Sequence, residues 1–475
     1  MRRAAASGIG VFAAELGAYR LIDAALAATS TPGAGTHRFV SRPDLTPPVL
    51  TALHRGAGRS AGHLFLAPLS GPGQRGSYIV DDSGVPVWFR PSTPVVALNF
   101  RAAVYRGKPV LTWWQGRTEH GLGDGTHIIL DNTYRELARV PAGGGRHSDL
   151  HEFVLTPHGT ALVSAWESVP ANLSRIGGLA NGVVIGGIVR ELELPSGRVL
   201  FEWRSLDHVG IDETYAGVST RAPHDYFHIN SIELNSDGDL LVSARNTWAV
   251  YKIDRGSGEV VWRLGGKRSD FTMGPGTNFA WQHDARHHDG HLVSLYDDGA
   301  APKVEPYSRG LILALDIKRM RAALHRSYVH NPPLLAHALG SLQVLPNGNV
   351  LIGWGTTPHI TEYTAAGQVV LEAKLPPGGQ NYRALKMPWR GQPAEPPAAA
   401  ARTGVVYASW NGATEVASWR VDTGASPDAL LAESTQPKAG FETRIAVSAG
   451  AQFASVTALD ANGAPLGSSK VVRLV

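Results

Sequence analysis

The chain has 475 residues, 43% hydrophobic and 18% charged, so it can bury a large core and is not a disordered chain. Its 54 glycines and 31 prolines suit many tight turns rather than long helices. Cysteine is absent, which excludes disulfides, thiolate metal sites and a cysteine nucleophile. The 44 Lys+Arg and 40 Asp+Glu include no block of basic residues, so no nucleic-acid partner is indicated.

Residues 1–37 open on Met1-Arg2-Arg3 and a stretch of small residues, and Ala25-Leu26-Ala27 resembles a signal-peptidase site. Glu15, Arg20 and Asp23 interrupt an apolar region too short to span a bilayer. An export signal and a plain N-terminal helix with a linker both fit. The expectation is an exported, extracellular or cell-surface protein with no spanning membrane segment.

From 38 to 397 the chain repeats. Gly107, Gly159, Gly238, Gly290 and Gly348 each open a short apolar run, as in Gly238-Asp-Leu-Leu-Val-Ser. Between them recur hairpins at 79–88, 129–137, 193–203, 253–262, 315–318 and 360–371. Each pairs two apolar strands across a turn. A hairpin cannot bury its apolar face alone, so copies must stack. The spacing of the copies fits a four-stranded blade and predicts an all-β, six-bladed β-propeller. A proline-rich boundary follows at 381–397. Short strands over 398–475 then predict a small β-sandwich-like C-terminal module.

A histidine stands upstream of four strand-opening glycines: His151, His228, His283 and His337. Inner strands of a propeller border the channel, so equivalent positions converge near the axis. Recurrence lifts His151, His228 and His283 above the ordinary structural role of a strand histidine. His337, between Ala336 and Leu339-Gly340, stays structural. Asn230 shares a strand face with His228, and Arg245 and Gln282 add polar neighbours. Imidazoles, an amide and a guanidinium make an anion-binding, proton-transferring set. Zinc on the three histidines is disfavoured by Arg245, whose charge opposes a cation. His287-His288 reads as a solvated turn, and His224-Asp225 as either a border of the cavity or, the favoured reading, an exposed loop. His359 reads as a turn residue, and Asp297-Asp298-Gly299 as a cation-loop fragment without the full ligand spacing.

Taken together, the segments Asp149-Leu-His-Glu-Phe153, His228-Ile-Asn-Ser-Ile232, Ser243-Ala-Arg-Asn, Gln282-His-Asp-Ala-Arg286 and Gly348-Asn-Val-Leu-Ile-Gly-Trp-Gly355 resemble the arylsulfotransferase family of propellers that work without a nucleotide sulfate donor. The resemblance spans about residues 38 to 390. It implies transfer of a sulfuryl group from a phenolic sulfate ester to a phenol, with small aryl compounds as partners and neither metal nor cofactor. His283 would carry the group, His228, Asn230, Arg245 and Gln282 would bind substrate oxygens, and His151 would move the proton. The best-understood relatives have an N-terminal sandwich domain and a cysteine pair that this chain lacks. The alternative is a non-catalytic, surface-associated propeller that binds a ligand or protein at its channel mouth.

Overall fold

The computed structural model describes residues 34–474. The proposed export signal lies outside the described residues. Among those residues, helix is confined to one four-residue turn and two 3-10 turns, and no helix is long and apolar enough to cross a membrane.

The chain forms a β-propeller. Six sheets each carry four antiparallel strands in the order inner to outer. Their inner strands are Val96–Tyr105, Phe153–Leu155, Ile229–Leu234, His283–His288, Ser341–Val344 and Leu385–Met387. The sheet of His63–Leu66, Gly76–Val80 and Pro86–Pro91 takes its inner strand from Leu385–Met387, far along the chain, paired to His63–Leu66. The sheet of Ser341–Val344 gains an outermost strand, Thr51–Arg55, from the other end. Both ends of the propeller segment therefore close the circle.

The core lies between sheets rather than within one. Leu240, Val242 and Tyr251 pack against Leu162 and Val189 of the preceding sheet. Leu241 and Val250 pack against Val293 and Leu311 of the following one. Alternation along a strand sends neighbouring residues to opposite faces, and both faces are covered, so the strand reads as a continuous apolar run. Clusters of the same kind fill every other junction, including that between Leu351 of the last sheet and Leu64 of the first.

The repeat signals fall on defined places. The recurring hairpins are the third and fourth strands of each sheet, counted outward from the inner strand. The strand-opening glycines have positive φ, 90° at Gly238 and 73° at Gly290. A Cβ at either position would meet nothing within 4 Å, so backbone conformation rather than crowding calls for glycine there.

The segment read as a boundary is partly inside the propeller. Tyr382 and Arg383 are buried, and Leu385–Met387 is an inner strand. Its prolines begin only at Pro388, which is why composition did not mark the strand. Beyond it, two antiparallel sheets pack around Val406, Trp419, Val421, Ile445 and Val456. This module grips the propeller through Asn411, which exchanges two 2.9 Å hydrogen bonds with the Phe89 backbone.

Candidate functional site

The inner strands of three successive sheets begin at the same chamber. His151 lies two residues before Phe153–Leu155, His228 one before Ile229–Leu234, and His283 is the first residue of its strand. With Arg245 they line a chamber of about 30 Å³, closed by Leu69, Leu98, Leu150, Ala338 and Leu339 and by Thr118 and Gly121. That volume accommodates about two water molecules. The His151 and His228 rings meet edge to face with centroids 4.7 Å apart.

Each imidazole is held from behind by a carboxyl group. Nδ1 lies 2.5 Å from Asp149 Oδ2 in His151, 2.5 Å from Asp225 Oδ2 in His228, and 2.6 Å from Asp298 Oδ2 in His283. Each ring thus turns Nε2 away from its carboxyl partner. His228 adopts φ of 60°, a left-handed conformation that costs a side-chain-bearing residue about 1 kcal/mol. The Arg245 N–H to His228 carbonyl bond of 2.9 Å and the Asp225 contact hold it there.

Arg245 is buried, with its guanidinium 4.7 Å from the centroid of the Trp281 ring and Nη1 donating to Asn246 Oδ1 at 3.0 Å. Burial, then the charge of Arg245 and the neighbouring imidazoles, hold His283 well below the ordinary histidine range, so it is neutral at pH 7. Burial also lowers His228, against the pull of Asp225. Burial raises Asp298 well above the usual carboxylate range. Asp149 behaves differently. Burial works to raise it, but His151 and the Gly123 N–H together hold it below its ordinary value, so it stays ionised.

Two residues expected to bind substrate lie elsewhere. Gln282 Nε2 donates to Ser243 Oγ, Ala244 O and Ala249 O at 3.0–3.1 Å, which commits the amide to the neighbouring sheet. Asn230 Nδ2 donates to the Gln282 carbonyl. Neither lines the chamber. The two residues tie adjacent inner strands together and so position His228 and His283. His337 is exposed, and Ala338 and Leu339 occupy the chamber wall in its place.

Sequence reasoning missed the three carboxyl groups. His224-Asp225 is not an exposed loop: His224 is buried, and the pair forms a short strand parallel to Gly182–Glu193. Asp298 is fully buried at the end of Leu292–Asp297, because its partner is an imidazole rather than a cation. His287 and His288 end a strand rather than a turn, half-buried, with His288 Nε2 2.8 Å from Ser294 Oγ. Glu152, next to His151 in the chain, meets Arg101, Arg286 and Arg383 in a buried ion cluster.

A second, larger cleft of about 690 Å³ opens beside the chamber, its walls including Trp166, Ile185, Arg117 and Arg221. Thr118 lines both spaces. Asp225 and Asn246, the partners of His228 and Arg245, also face the cleft.

Residues 101–375, more than half of the chain, match the family model described as arylsulfotransferase (ASST). No curated protein matches the chain significantly. Among solved structures, a protein of unknown function from Bacteroides caccae is 15% identical with a TM-score of 0.43, over 68% of this chain and 98% of its own. One from Dyadobacter fermentans is 10% identical with a TM-score of 0.37, over 76% and 94%. Virginiamycin B lyase from Staphylococcus aureus is 11% identical with a TM-score of 0.32, over 76% and 96%. Likeness at this level carries no argument about activity.

Proposed function

Because this chain belongs to the arylsulfotransferase family, we propose that it moves a sulfuryl group from a phenolic sulfate ester to a phenolic acceptor, with His283 carrying the group between them. The observation behind this reading is the meeting of three carboxyl-held imidazoles and Arg245 around one chamber. The aryl ring of the ester occupies the larger cleft, and its sulfuryl group enters the chamber past Thr118.

Neutral His283 attacks sulfur through Nε2. The S–O bond to the ring breaks, its electron pair goes to the phenolic oxygen, and that oxygen takes a proton from His151. The ionised Asp149 beside His151 balances the charge on a protonated ring, which suits it to this acid role. His228 and Arg245 donate to the sulfuryl oxygens as charge gathers there. In the return step the acceptor phenol gives its proton to His151, its oxygen attacks sulfur, and the N–S bond breaks. Splitting one displacement into two is the advantage of a covalent carrier.

The test is 4-nitrophenyl sulfate with phenol as acceptor. Nitrophenolate release that depends on phenol, and falls about a thousandfold or more in His283→Ala, is expected. No release by the native protein across several acceptors would sink the assignment. Intact mass measurement after donor alone tests the covalent step, since a sulfuryl adduct is expected on the native chain and not on the variant.

A further inference from the structure

In the sheet of Ser341–Val344, one hairpin carries a side-chain group that the proposed sulfuryl transfer does not use. His359 and Thr361 lie on His359–Tyr363, and Glu372 stands opposite Thr361 on Val369–Lys374. Strand alternation puts all three on one face. His330 reaches that face from the connection after Arg321–Tyr328. Glu372 Oε1 lies 3.1 Å from His330 Nε2 and 2.7 Å from His359 Nδ1. The three potential ligand atoms fall within 4.8 Å of one another. Around a tetrahedral ion with bonds of about 2.0–2.1 Å, such atoms stand about 3.4 Å apart. Glu372 Oε1 makes room by drawing back about 0.3 Å from His330 and about 0.7 Å from His359.

Two of the groups are also held from behind. His330 Nδ1 donates to the Pro332 carbonyl at 2.7 Å, which leaves Nε2 directed at Glu372. A carbonyl on the far nitrogen is the usual support of a metal-bound histidine. Thr361 Oγ1 donates to Glu372 Oε2 at 2.6 Å, fixing the carboxylate with Oε1 toward the rings. The side chains of His330, Glu372 and His359 are 7%, 14% and 16% exposed, sheltered but within reach of solvent.

We propose that His330, His359 and Glu372 form a binding site for a divalent transition metal, with zinc the ion that two imidazoles and a carboxylate suit. Calcium and magnesium prefer oxygen donors and fit poorly. Without an ion, Glu372 is hydrogen-bonded to both rings; the ion replaces those contacts and takes each ring as a neutral imidazole, so that only a ring protonated on both nitrogens gives up a proton. Lys374 stands opposite His359 in the register and limits affinity by its charge. The strand bearing Glu372 also receives Thr51–Arg55, so an ion here braces the hairpin at which the propeller closes.

The test adds zinc chloride to the full, metal-stripped protein and measures bound zinc after dialysis together with thermal unfolding. One zinc per chain and a rise in Tm of about 2–4 °C are expected at saturation. Both should be lost in Glu372→Gln and His359→Ala, whereas His283→Ala keeps its zinc, which separates this site from the histidine chamber. A native protein that retains no zinc, or variants that retain as much as it does, would overturn the proposal. Cobalt(II) gives a reading that needs no variant. Tetrahedral visible absorption, displaced by zinc, is expected on the native protein, and its absence would also overturn the proposal.

Discussion

Three imidazoles in one small chamber would repel one another if all were protonated, and their different carboxyl partners separate their roles. Asp149 is held ionised while Asp298 is raised, and burial keeps His283 neutral. In the proposed transfer, a neutral His283 sets the acid limb. Its depressed value keeps the attacking form populated as pH falls through about 6.5, where an ordinary histidine protonates. The rate of the first transfer should therefore hold from pH 7 to 6, as followed by burst kinetics with 4-nitrophenyl sulfate; a rate that has already collapsed at pH 6 would contradict a neutral nucleophile. Replacing Asp298 by Asn keeps its volume but removes the acidic partner of Nδ1. We expect kcat to fall about a hundredfold or more with KM little changed. Unchanged kcat would remove Asp298 from the mechanism. The histidines were legible because they recur at equivalent repeat positions, and Arg245 because it ends the strand after His228. Their carboxyl partners were not, since Asp149 lies two residues before its histidine, Asp225 three before and Asp298 fifteen after. No period joins those offsets; only the closing of strands around the chamber does.

The strands themselves were legible through turn chemistry and apolar runs, because every inner and middle strand is covered on both faces. One buried polar residue breaks the pattern without a functional partner. His127, on Leu122–Asp131, is fully buried and stacks on Phe153 with centroids 4.3 Å apart, and neither ring nitrogen finds a hydrogen bond. Burial pushes its pKa from 6.5 down to about 3. The unfolded chain therefore binds a proton that the folded chain refuses between those values, so stability is lost as pH falls below about 6.5. At pH 5 the cost is about 2 kcal/mol. His127→Phe should recover about that much at pH 5 relative to its effect at pH 8, measured by urea unfolding at both values. An equal effect at the two pH values would show that His127 is not the group responsible.

The molecule as a whole depends on closing a ring, and one buried side chain spans the seam. Lys386, on the late inner strand, is 2.7 Å from Asp82 of the first sheet and 3.0 Å from Glu362 of the last. Removing one partner of such a pair leaves a buried charge uncompensated, so Lys386→Met should cost about 3–5 kcal/mol. Urea unfolding followed by tryptophan fluorescence measures it, and adding Glu362→Gln should restore part of the loss. A loss no larger in Lys386→Met than in the double variant would assign the seam's strength elsewhere. The same late segment reaches the floor of the chamber. Tyr382 Oη donates at 3.3 Å to the carbonyls of His151 and Asn230, and Arg383 donates to Glu152, Asn99 and the Asn230 carbonyl. All three imidazoles are translated about a hundred residues or more before Tyr382 and Arg383. A nascent or prematurely ended chain thus has the chamber's imidazoles without the floor that sets them. On the proposed function, competence for transfer would arrive only with the last strand of the ring.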